Sequence, residues 1–396
     1  MTNTYFFVLG TNHTLSKIDI VNVLGKAGTD FEIVEASEEV MIISTGTEIE
    51  VEKLILELGS AAKIGKISKV YQEDDWSAES LRKEFSKEEL GISVYNAGGK
   101  LRQTDKIFRE TRNIGNIKEG GRILSTVTVD KKGLLRDGFE LVICNGSKGI
   151  YVGKTLTIQD YESYSFRDYG RPARDAFSGM IPPKLAKMMI NLAGKEKTDL
   201  FLDPFCGSGT ILQELVLLGY KNMVGTDSSE KSVTDSTTNL NWLFEKYPIK
   251  KNDFAIKIVN ADVRKLSSQV SFKTASALVT EPYLGSPKAS YFNEEGIRKE
   301  IKKLEELYLA AFDEFRKVLK DNGVVVIIFP VFRFNNKFFY LEILEQIKKL
   351  GFKKKDYLQE NPKGTELLRL NLSSRDSVIF FRPGQTISRE IFIFSL

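Results

Sequence analysis

The chain has 396 residues, of which 42% are hydrophobic and 28% charged, a balance that is ordinary for a soluble protein of two or three domains and excludes wholesale disorder. Every run of about 18 residues contains charges and the amino terminus lacks signal-peptide character, so we expect a cytoplasmic protein without a membrane partner. Two cysteines and one histidine argue against a disulfide scaffold, and no metal site is expected.

The first 72 residues alternate between apolar runs of strand type and helical patterns. Helices are predicted over 14–28 and 48–58, where apolar residues recur at helical spacing before a glycine. The predicted strands are 5–10, 31–36, 40–44 and 64–71. The order β-α-β-β-α-β predicts a ferredoxin-like domain over residues 1–72.

Residues 73–160 are predicted to form a second α+β domain. Its helix covers 101–113, and the runs 139–144 and 150–152 are expected to pair as strands around Asn145-Gly146. Further strands are predicted over 92–96 and 122–129.

Charge is distributed unevenly along the chain. The first hundred residues hold 10 basic and 17 acidic side chains, a net charge of −7, whereas the rest of the chain carries +11. Arg102, Lys106, Arg109 and Arg112 fall at near-helical spacing in the basic part. They predict a stripe that binds the phosphates of a nucleic acid, with a solvated helix face as the alternative interpretation.

Residues 161–181 lack a clear period and are predicted to form a linker. Tyrosine and phenylalanine residues interleave there with Arg167, Arg171 and Arg174, a composition that can stack bases and bind phosphates. We therefore expect Arg167 and Arg171 to contact RNA. The alternative is a packed linker with surface arginines.

Residues 182–396 alternate between strands and helices, which predicts a mostly parallel sheet with helices on both faces, the Rossmann-like α/β class. Two final apolar runs, 377–381 and 390–394, are expected to form an antiparallel hairpin at a sheet edge, around Arg382-Pro383-Gly384. The predicted internal strands are 199–202, 222–226, 255–259, 277–280 and 324–329. The predicted helices include 184–192, 210–218 and 301–319.

A glycine-containing loop joins the predicted strand 199–202 to the predicted helix 210–218. Gly207 and Gly209 allow a tight turn, but Leu212 stands where a dinucleotide fingerprint has its third glycine, which weakens the prediction of a nicotinamide enzyme. Asp203 at the strand end is a better partner for an ammonium group than for a pyrophosphate. S-adenosylmethionine, which carries an amino group and no phosphate, fits this loop better.

Two further acids follow the next strands of the same domain. Asp227 comes twenty residues after Gly207 and is placed to accept hydrogen bonds from ribose hydroxyls, and Asp262 is placed to bind an adenine amino group. Helix capping by these acids is the alternative interpretation. The predicted cofactor-binding residues are Asp203, Phe205, Cys206, Gly207, Ser208, Gly209, Asp227 and Asp262.

The segment Asp203–Thr210 resembles motif I of the class I methyltransferases that modify exocyclic amino groups. The region around it is similar to tRNA guanosine-10 N2-methyltransferases that contain a THUMP domain. The similar segments are Val152–Thr155, Ser165–Asp168, Arg171–Ala186 and Asn191–Ala193. The resemblance implies a ferredoxin-like domain, then a THUMP RNA-binding domain over 73–160, then a methyltransferase domain. It also implies a tRNA substrate and leaves room for an accessory activator protein.

The family's catalytic pattern Asp-Pro-Pro-Tyr-Gly corresponds here to Glu281-Pro282-Tyr283-Leu284-Gly285. An acid and a rigid prolyl turn suit this place, because an aromatic amine becomes a better nucleophile when a carboxylate and a carbonyl accept its N–H groups. We predict Glu281, Pro282 and Tyr283 as catalytic residues, with the ring of Tyr283 stacking on a flipped-out base.

The variant motif leaves alternatives open. The chain is expected to methylate the N2 amino group of a guanosine in tRNA, at position 10. The alternatives are an amino-methyltransferase that acts on ribosomal RNA or DNA, and a tRNA-binding protein whose catalytic site has decayed. The oligomeric state, and the choice between one and two methyl groups, do not follow from the sequence.

Overall fold

The computed structural model describes residues 2–79, 81, 90–174, 180–286, 293–381 and 387–396. The chain divides into two compact units. The first comprises Met1–Ser163 and Leu358–Leu370, and the second comprises Tyr164–Tyr357 and Asn371–Leu396.

One seven-stranded sheet runs through the first unit, in the order β2-β3-β1-β4-β7-β6-β5. Its strands are β1 (Asn3–Leu9), β2 (Phe31–Ala36), β3 (Val40–Thr45), β4 (Ala61–Tyr71), β5 (Leu90–Asn96), β6 (Phe139–Asn145) and β7 (Ile150–Ile158). The four strands β2-β3-β1-β4 have the order expected of a ferredoxin-like unit, and the predicted pairing of β6 with β7 is confirmed.

The predicted domains 1–72 and 73–160 share this sheet, because β4 pairs antiparallel with β7 over Lys63–Tyr71 and Ile150–Ile158. The segment 358–370 also packs here, although the sequence prediction assigns it to the last domain. The carbonyl of Lys363 accepts a hydrogen bond from the backbone N–H of Ile33, and buried Lys17 donates to the carbonyl of Leu368.

Four helices of the first unit are α1 (His13–Lys26), α2 (Val51–Glu57), α3 (Leu101–Thr111) and α4 (Thr126–Lys131). Helix α4 corrects the predicted strand over 122–129. The Ser125 hydroxyl accepts a hydrogen bond from the Thr128 N–H at 3.1 Å and thereby caps the helix. This local cap outweighs the strand preference of the β-branched residues that follow it.

The predicted linker over 161–181 also contains regular structure. Tyr161–Tyr169 forms helix α5, and near its start the N–H of Ser163 donates to the Asp160 carboxylate at 2.9 Å. The prediction failed because the aromatic and arginine residues show no simple amphipathic period. Residues 175–179 of the same segment lie outside the described residues.

The sheet of the second unit has the order β10-β9-β8-β11-β12-β16-β14, with β13 on β12 and β15 on β16. Its strands are β8 (Leu200–Asp203), β9 (Asn222–Asp227), β10 (Ala255–Asn260), β11 (Ala275–Thr280), β12 (Leu319–Phe334), β13 (Lys337–Phe339), β14 (Lys353–Lys354), β15 (Val378–Phe380) and β16 (Ile387–Ser395). Strands β8 to β12 are parallel, which confirms the predicted Rossmann-like class.

The predicted terminal hairpin is present as the antiparallel pair of β15 and β16, while its Arg382-Pro383-Gly384 turn lies outside the described residues. Further α-helices are α6 (Pro183–Ala193), α7 (Thr210–Leu217), α8 (Glu230–Lys246), α9 (Glu294–Val318) and α10 (Leu344–Lys349). Helix α9 packs the rings of Tyr308 and Phe312 against Phe329 of β12, and all three are fully buried. This packing fixes the edge of β11 and β12 on which the site is built.

No helix in the described part of the chain has both the length and the apolar character needed to cross a membrane. Within the same residues, no three His, Cys, Asp or Glu side chains form a group that could hold a metal ion.

Candidate active site

The carboxyl ends of the parallel strands β8, β9 and β11 meet at one edge of the second sheet, where such folds bind their ligands. A cavity of about 500 Å³ opens there, a volume within the range typical of small-molecule sites. It brings together ten residues predicted from the sequence, namely Asp203, Phe205, Cys206, Gly207, Ser208, Asp227, Asp262, Glu281, Pro282 and Tyr283. Gly209 is not among the described residues that line it.

Asp203, the last residue of β8, lies at the floor of this cavity and is 1% exposed. Its Oδ1 accepts hydrogen bonds from the Thr280 hydroxyl at 2.7 Å and from the Phe205 N–H at 3.3 Å. Burial raises the pKa of Asp203 to about 7, the two hydrogen bonds lower it, and the nearby carboxylates of Asp227 and Glu281 raise it. A buried carboxyl surrounded by other acids is well suited to pair with a bound cation.

Thr280 is a residue that the sequence analysis missed. It is fully buried at the end of β11, directly before the Glu281 motif. Strands β8 and β11 are neighbours and run parallel, so the ends of both strands reach the same edge. That adjacency is the signal that could have found Thr280, because a hydroxyl in this place can reach the acid at the end of the next strand.

Asp227, the last residue of β9, anchors the glycine loop. Its Oδ2 accepts the N–H of Gly207 at 3.0 Å and its Oδ1 accepts the N–H of Ser229 at 2.9 Å. Gly207 has a φ of +51°, in the left-handed region that favours glycine, and a Cβ there would meet no atom within 4 Å. The hydrogen bond from the Gly207 N–H to Asp227 thus holds the backbone of the loop beside the cavity.

Gly209 is required for packing rather than for contact with the cavity. Its φ is +82°, and a Cβ would lie 2.4 Å from the Ser236 hydroxyl. Gly219 has nearly the same φ, +80°, but a Cβ there would meet no atom within 4 Å. A comparison of alanine substitutions at the two glycines therefore separates the energetic cost of backbone strain from that of steric contact.

We expect Gly209→Ala to lower the free energy of unfolding by about 2–4 kcal/mol, the sum of left-handed strain and overpacking. The matched control Gly219→Ala should lower it by about 1–2 kcal/mol, from strain alone. Urea denaturation measures both values. Equal decreases in the two variants would contradict the steric role of Ser236.

Asp262 lines the cavity but already has a partner. Its carboxylate caps the turn by accepting the Arg264 N–H at 3.0 Å and makes a two-pronged ion pair with the Arg264 guanidinium, which lowers the pKa of Asp262. Arg264 is exposed, and exposed pairs of this kind contribute little energy, so a ligand can displace the arginine. The role of Asp262 as an adenine contact stays a prediction.

Cys206 is buried beside the loop, and its N–H donates to the Thr226 carbonyl at 2.9 Å. Burial raises the pKa of the Cys206 thiol, which keeps it protonated and unreactive.

Glu281, which follows β11, is held by an arginine that the sequence analysis did not single out. The Arg389 Nε lies 2.5 Å from Oε1 of Glu281, and Nη2 lies 3.5 Å from Oε2. The Arg389 side chain is 4% exposed and that of Glu281 is 10% exposed. The two residues are 108 positions apart in the chain, and no sequence signal connects them.

Tyr283 presents its ring to the cavity while its backbone is fixed. The residue is 48% exposed and lines the cavity together with Pro282. The hydroxyl of Tyr308, on helix α9, lies 3.3 Å from both the Tyr283 and the Ile328 carbonyl oxygens and donates to them. An exposed ring on a tethered backbone is the arrangement needed to stack a planar group. Tyr308 is a third residue, after Thr280 and Arg389, that the sequence analysis missed.

Two of the predicted RNA contacts are corrected by their burial. Arg167 is 4% exposed and forms an ion pair with buried Glu214, with Nε 2.6 Å from Oε1. Arg171 is 3% exposed and donates to the Thr210 hydroxyl at 2.6 Å. The two guanidinium groups hold helix α5 and the residues just after it against helix α7. Because both groups are buried, they are not placed to bind phosphates. The packed-linker alternative is therefore the better description, although its arginines are buried.

The other predicted RNA contacts lie on one exposed helix. Arg102, Lys106 and Arg109 of α3 are all exposed, as is Arg112 just after it. Lys106 lies 3.9 Å from the Glu110 carboxylate, an exposed pair that costs little to break. We refer to Arg102, Lys106 and Arg109 as the basic stripe, and its contact with RNA stays a prediction.

Comparison with protein families identifies a methyltransferase domain in the second unit. A family described as "RMKL-like, methyltransferase domain" matches residues 171–352, and a "DNA methylase" family matches residues 60–238. The crystal structure of TrmN from Thermus thermophilus superimposes with a TM-score of 0.56, at 14% identity, over 100% of this chain and 99% of that chain. This similarity concerns the fold alone.

Three curated archaeal relatives share the same name. The "tRNA (guanine(10)-N2)-dimethyltransferase" of Methanocaldococcus jannaschii is 28% identical over 54% of this chain and 55% of its own length. That of Methanothermobacter thermautotrophicus is 33% identical over 39% of this chain and 40% of its own length, so the match spans about half of the length of these two relatives.

The third relative, named "Probable tRNA (guanine(10)-N2)-dimethyltransferase", is from Methanothermococcus thermolithotrophicus. It is 31% identical over 36% of this chain and 77% of its own length. The resemblance drawn from the motif residues is thereby confirmed at the level of the family, whereas the THUMP domain stays a prediction. The site, the sheet order and these relatives together show that the chain belongs to the tRNA guanine-N2 methyltransferase family.

Proposed function

We propose that this chain transfers methyl groups from S-adenosylmethionine to the N2 amino group of a guanosine in tRNA, at position 10. The observation that carries the proposal is the shared cavity, in which the buried acid Asp203 and the Glu281-Pro282-Tyr283 motif lie at one sheet edge. The names of the curated relatives support the same substrate. A tRNA substrate also supports a cytoplasmic location.

The residues around the glycine loop fit the proposed cofactor. Asp203 supplies a buried carboxyl for its ammonium group, and Asp227 supplies carboxylate oxygens for ribose hydroxyls while it holds Gly207. Asp262 would exchange its exposed arginine partner for the adenine amino group. S-adenosylmethionine would supply an electrophilic methyl group.

The motif after β11 would hold the target base. The Glu281 carboxylate and the backbone carbonyl at Pro282 accept the N–H groups of the guanine amine, which localises its lone pair. The exposed ring of Tyr283 stacks on the base, which must leave its helix to enter the cavity. The motif would orient the base for attack, an effect that depends on close positioning.

Methyl incorporation with radiolabelled cofactor tests the choice of substrate. The purified chain is incubated separately with unmodified tRNA, ribosomal RNA and duplex DNA, and label in the tRNA alone is the expected result. Because a DNA methylase family also matches residues 60–238, label in DNA would favour the amino-methyltransferase alternative and contradict the tRNA proposal. Tight tRNA binding without label would favour a decayed enzyme. Addition of a cell extract to an inactive sample reports on an accessory activator protein.

Residues 73–160 are proposed to act as the THUMP RNA-binding domain, with the basic stripe of α3 at its surface. We expect the triple variant Arg102→Gln, Lys106→Gln, Arg109→Gln to bind tRNA more weakly, because a cation that neutralises a phosphate releases counterions and glutamine does not. The slope of log affinity against log salt concentration should decrease by about 1 for each phosphate that is no longer neutralised. Fluorescence anisotropy with labelled tRNA measures both quantities.

A matched control removes the same charge from the exposed face of another helix. Lys299, Lys302 and Lys303 of α9 are exposed, and their triple replacement by Gln should leave the salt slope unchanged. Equal decreases in slope for the two triple variants would show a general charge effect and would contradict a specific role of the basic stripe.

A further inference from the structure

Arg389 reaches the catalytic motif from a distant part of the second unit. It lies on β16, where it is paired with Pro330 of β12, and β12 separates it from β11. Its guanidinium crosses this strand and makes the two-pronged contact with Glu281, at 2.5 Å and 3.5 Å. Both ends of the contact stand on paired strands or directly after one, so the backbone holds them rigidly.

The length of the Glu281 side chain explains why such a contact is useful. Glu281 stands where the family pattern has Asp, and glutamate has one more methylene group and one more rotatable bond. Without a partner, its carboxylate would populate several rotamers, and few of these would face the base. A forked guanidinium fixes both the position and the plane of the carboxylate. A carboxylate offers about four lone-pair sites, so two remain for the amine.

We propose that Arg389 is a positioning residue that holds the Glu281 carboxylate in the orientation that accepts the guanine amine. The inference rests on the proposed function, because Glu281 contacts a substrate only if that function holds. Arg389 itself is 3% exposed and acts through Glu281 rather than on the substrate.

Arg389→Met removes the charged fork and keeps much of the side-chain volume. We expect kcat for tRNA methylation to fall about 100-fold, as is typical when a reacting group is misplaced by about 1 Å. The KM for tRNA and the Kd for S-adenosylmethionine should change less than about threefold, because neither depends on the Glu281 orientation. Arg389→Lys retains the charge and one hydrogen bond, so its kcat should be about tenfold higher than that of Arg389→Met.

A double-mutant cycle separates this role from a general loss of stability. In the Glu281→Gln background, the further change Arg389→Met should lower kcat by less than about threefold, because the residue through which it acts is already altered. The control is Arg375→Met, which removes a partly buried arginine, 13% exposed, whose glutamate partner Glu390 lies at 3.5 Å. Thermal unfolding should show that Arg389→Met and Arg375→Met are destabilised to a comparable extent. Only Arg389→Met should lower kcat.

A readout without turnover uses tRNA with 2-aminopurine at the target nucleotide. This base carries the same amino group as guanine, and its fluorescence rises when it leaves the stack. Wild-type protein should hold the base in one environment, with a single fluorescence lifetime, and Arg389→Met should give several lifetimes at equal tRNA affinity. The Arg375→Met control should match the wild type.

The outcomes distinguish the inference from the function on which it rests. A folded wild-type protein that stays inactive after addition of cell extract overturns both. If the wild-type protein is active, two results would overturn the inference and leave the proposed function intact. One is full kcat in Arg389→Lys. The other is a double variant in which the decreases in kcat from Glu281→Gln and Arg389→Met multiply. Because Arg389→Lys keeps the buried charge paired, its result stands even if Arg389→Met fails to fold.

Discussion

Asp203→Asn is expected to weaken S-adenosylmethionine binding about 100-fold or more, with tRNA binding retained. The carboxylate is 1% exposed, and removal of one member of a buried charge pair costs about 2–5 kcal/mol of binding free energy. Asparagine keeps the shape and can still accept the Thr280 hydroxyl. Isothermal titration calorimetry measures the Kd of both proteins.

The pH dependence of binding gives this prediction a second signature. Since burial raises the pKa of Asp203 to about 7, the free protein carries a protonated carboxyl below that pH. Binding of an ammonium group then requires release of this proton. Above about pH 8 the ammonium group itself loses its charge, and below pH 7 the affinity should fall about tenfold per pH unit. Asp203→Asn should abolish this dependence.

The stability of the folded protein should depend on Asp203 in the opposite direction: low pH weakens cofactor binding but favours the folded state. The folded state holds a proton on Asp203 that the unfolded state releases near its ordinary pKa of 3.8. The contribution of Asp203 to the free energy of unfolding should therefore fall as pH rises from about 4 to 7, by on the order of 4 kcal/mol. In Asp203→Asn this decrease should be absent, which urea denaturation at several pH values measures.

Asp199 provides a matched control. It directly precedes β8, the strand that ends with Asp203. Its carboxylate accepts the Ser276 hydroxyl at 2.7 Å, and it is not among the described residues that line the cavity. Asp199→Asn should leave the Kd for S-adenosylmethionine unchanged. An unchanged Kd in Asp203→Asn would contradict the assignment of Asp203 as the ammonium partner.

Glu281→Gln is expected to lower kcat about 100-fold or more while the Kd for cofactor and the affinity for tRNA stay the same. The amide keeps one oxygen that can accept a hydrogen bond from Arg389, but it loses the negative charge that polarises the amine. Removal of a group that acts only in the transition state lowers kcat and kcat/KM together. Single-turnover methylation of tRNA measures the chemical step directly.

Glu314→Gln controls for the removal of a buried carboxylate from the same unit. Glu314 on α9 accepts the Ser267 N–H at 2.7 Å and is not among the described residues that line the cavity. Its kcat should match the wild type. Wild-type kcat in Glu281→Gln would instead show that another group contacts the amine.

The parallel sheet could be predicted from sequence because β8, β9 and β11 are short apolar runs, each followed along the chain by a helical period. The acids Asp203 and Asp227 end two such runs, so their placement at one edge followed from topology alone. The ferredoxin-like strand order was predictable for the same reason. Local patterns did not reveal that β4 and β7 join both predicted domains in one sheet.

The errors have identifiable physical causes. The run after Arg122 has the composition of a strand, but the Ser125 cap starts a helix there. Arg167 and Arg171 resemble surface RNA contacts until Glu214 and Thr210, more than thirty residues away, bury them. Arg389 could not be found at all, because its link to Glu281 depends on the pairing of β12 with β16 and on no local motif.

Mass spectrometry of nucleosides tests the methylation of guanine N2 most directly. Unmodified tRNA is incubated with S-adenosylmethionine and either the wild-type chain or Asp203→Asn, digested, and mapped by fragment. We expect N2-methylated guanosine at position 10 with the wild type and none with the variant. Two results with a folded wild-type protein that binds tRNA would contradict the proposed activity. Either every guanosine stays unmodified, or the methyl groups are found on another base.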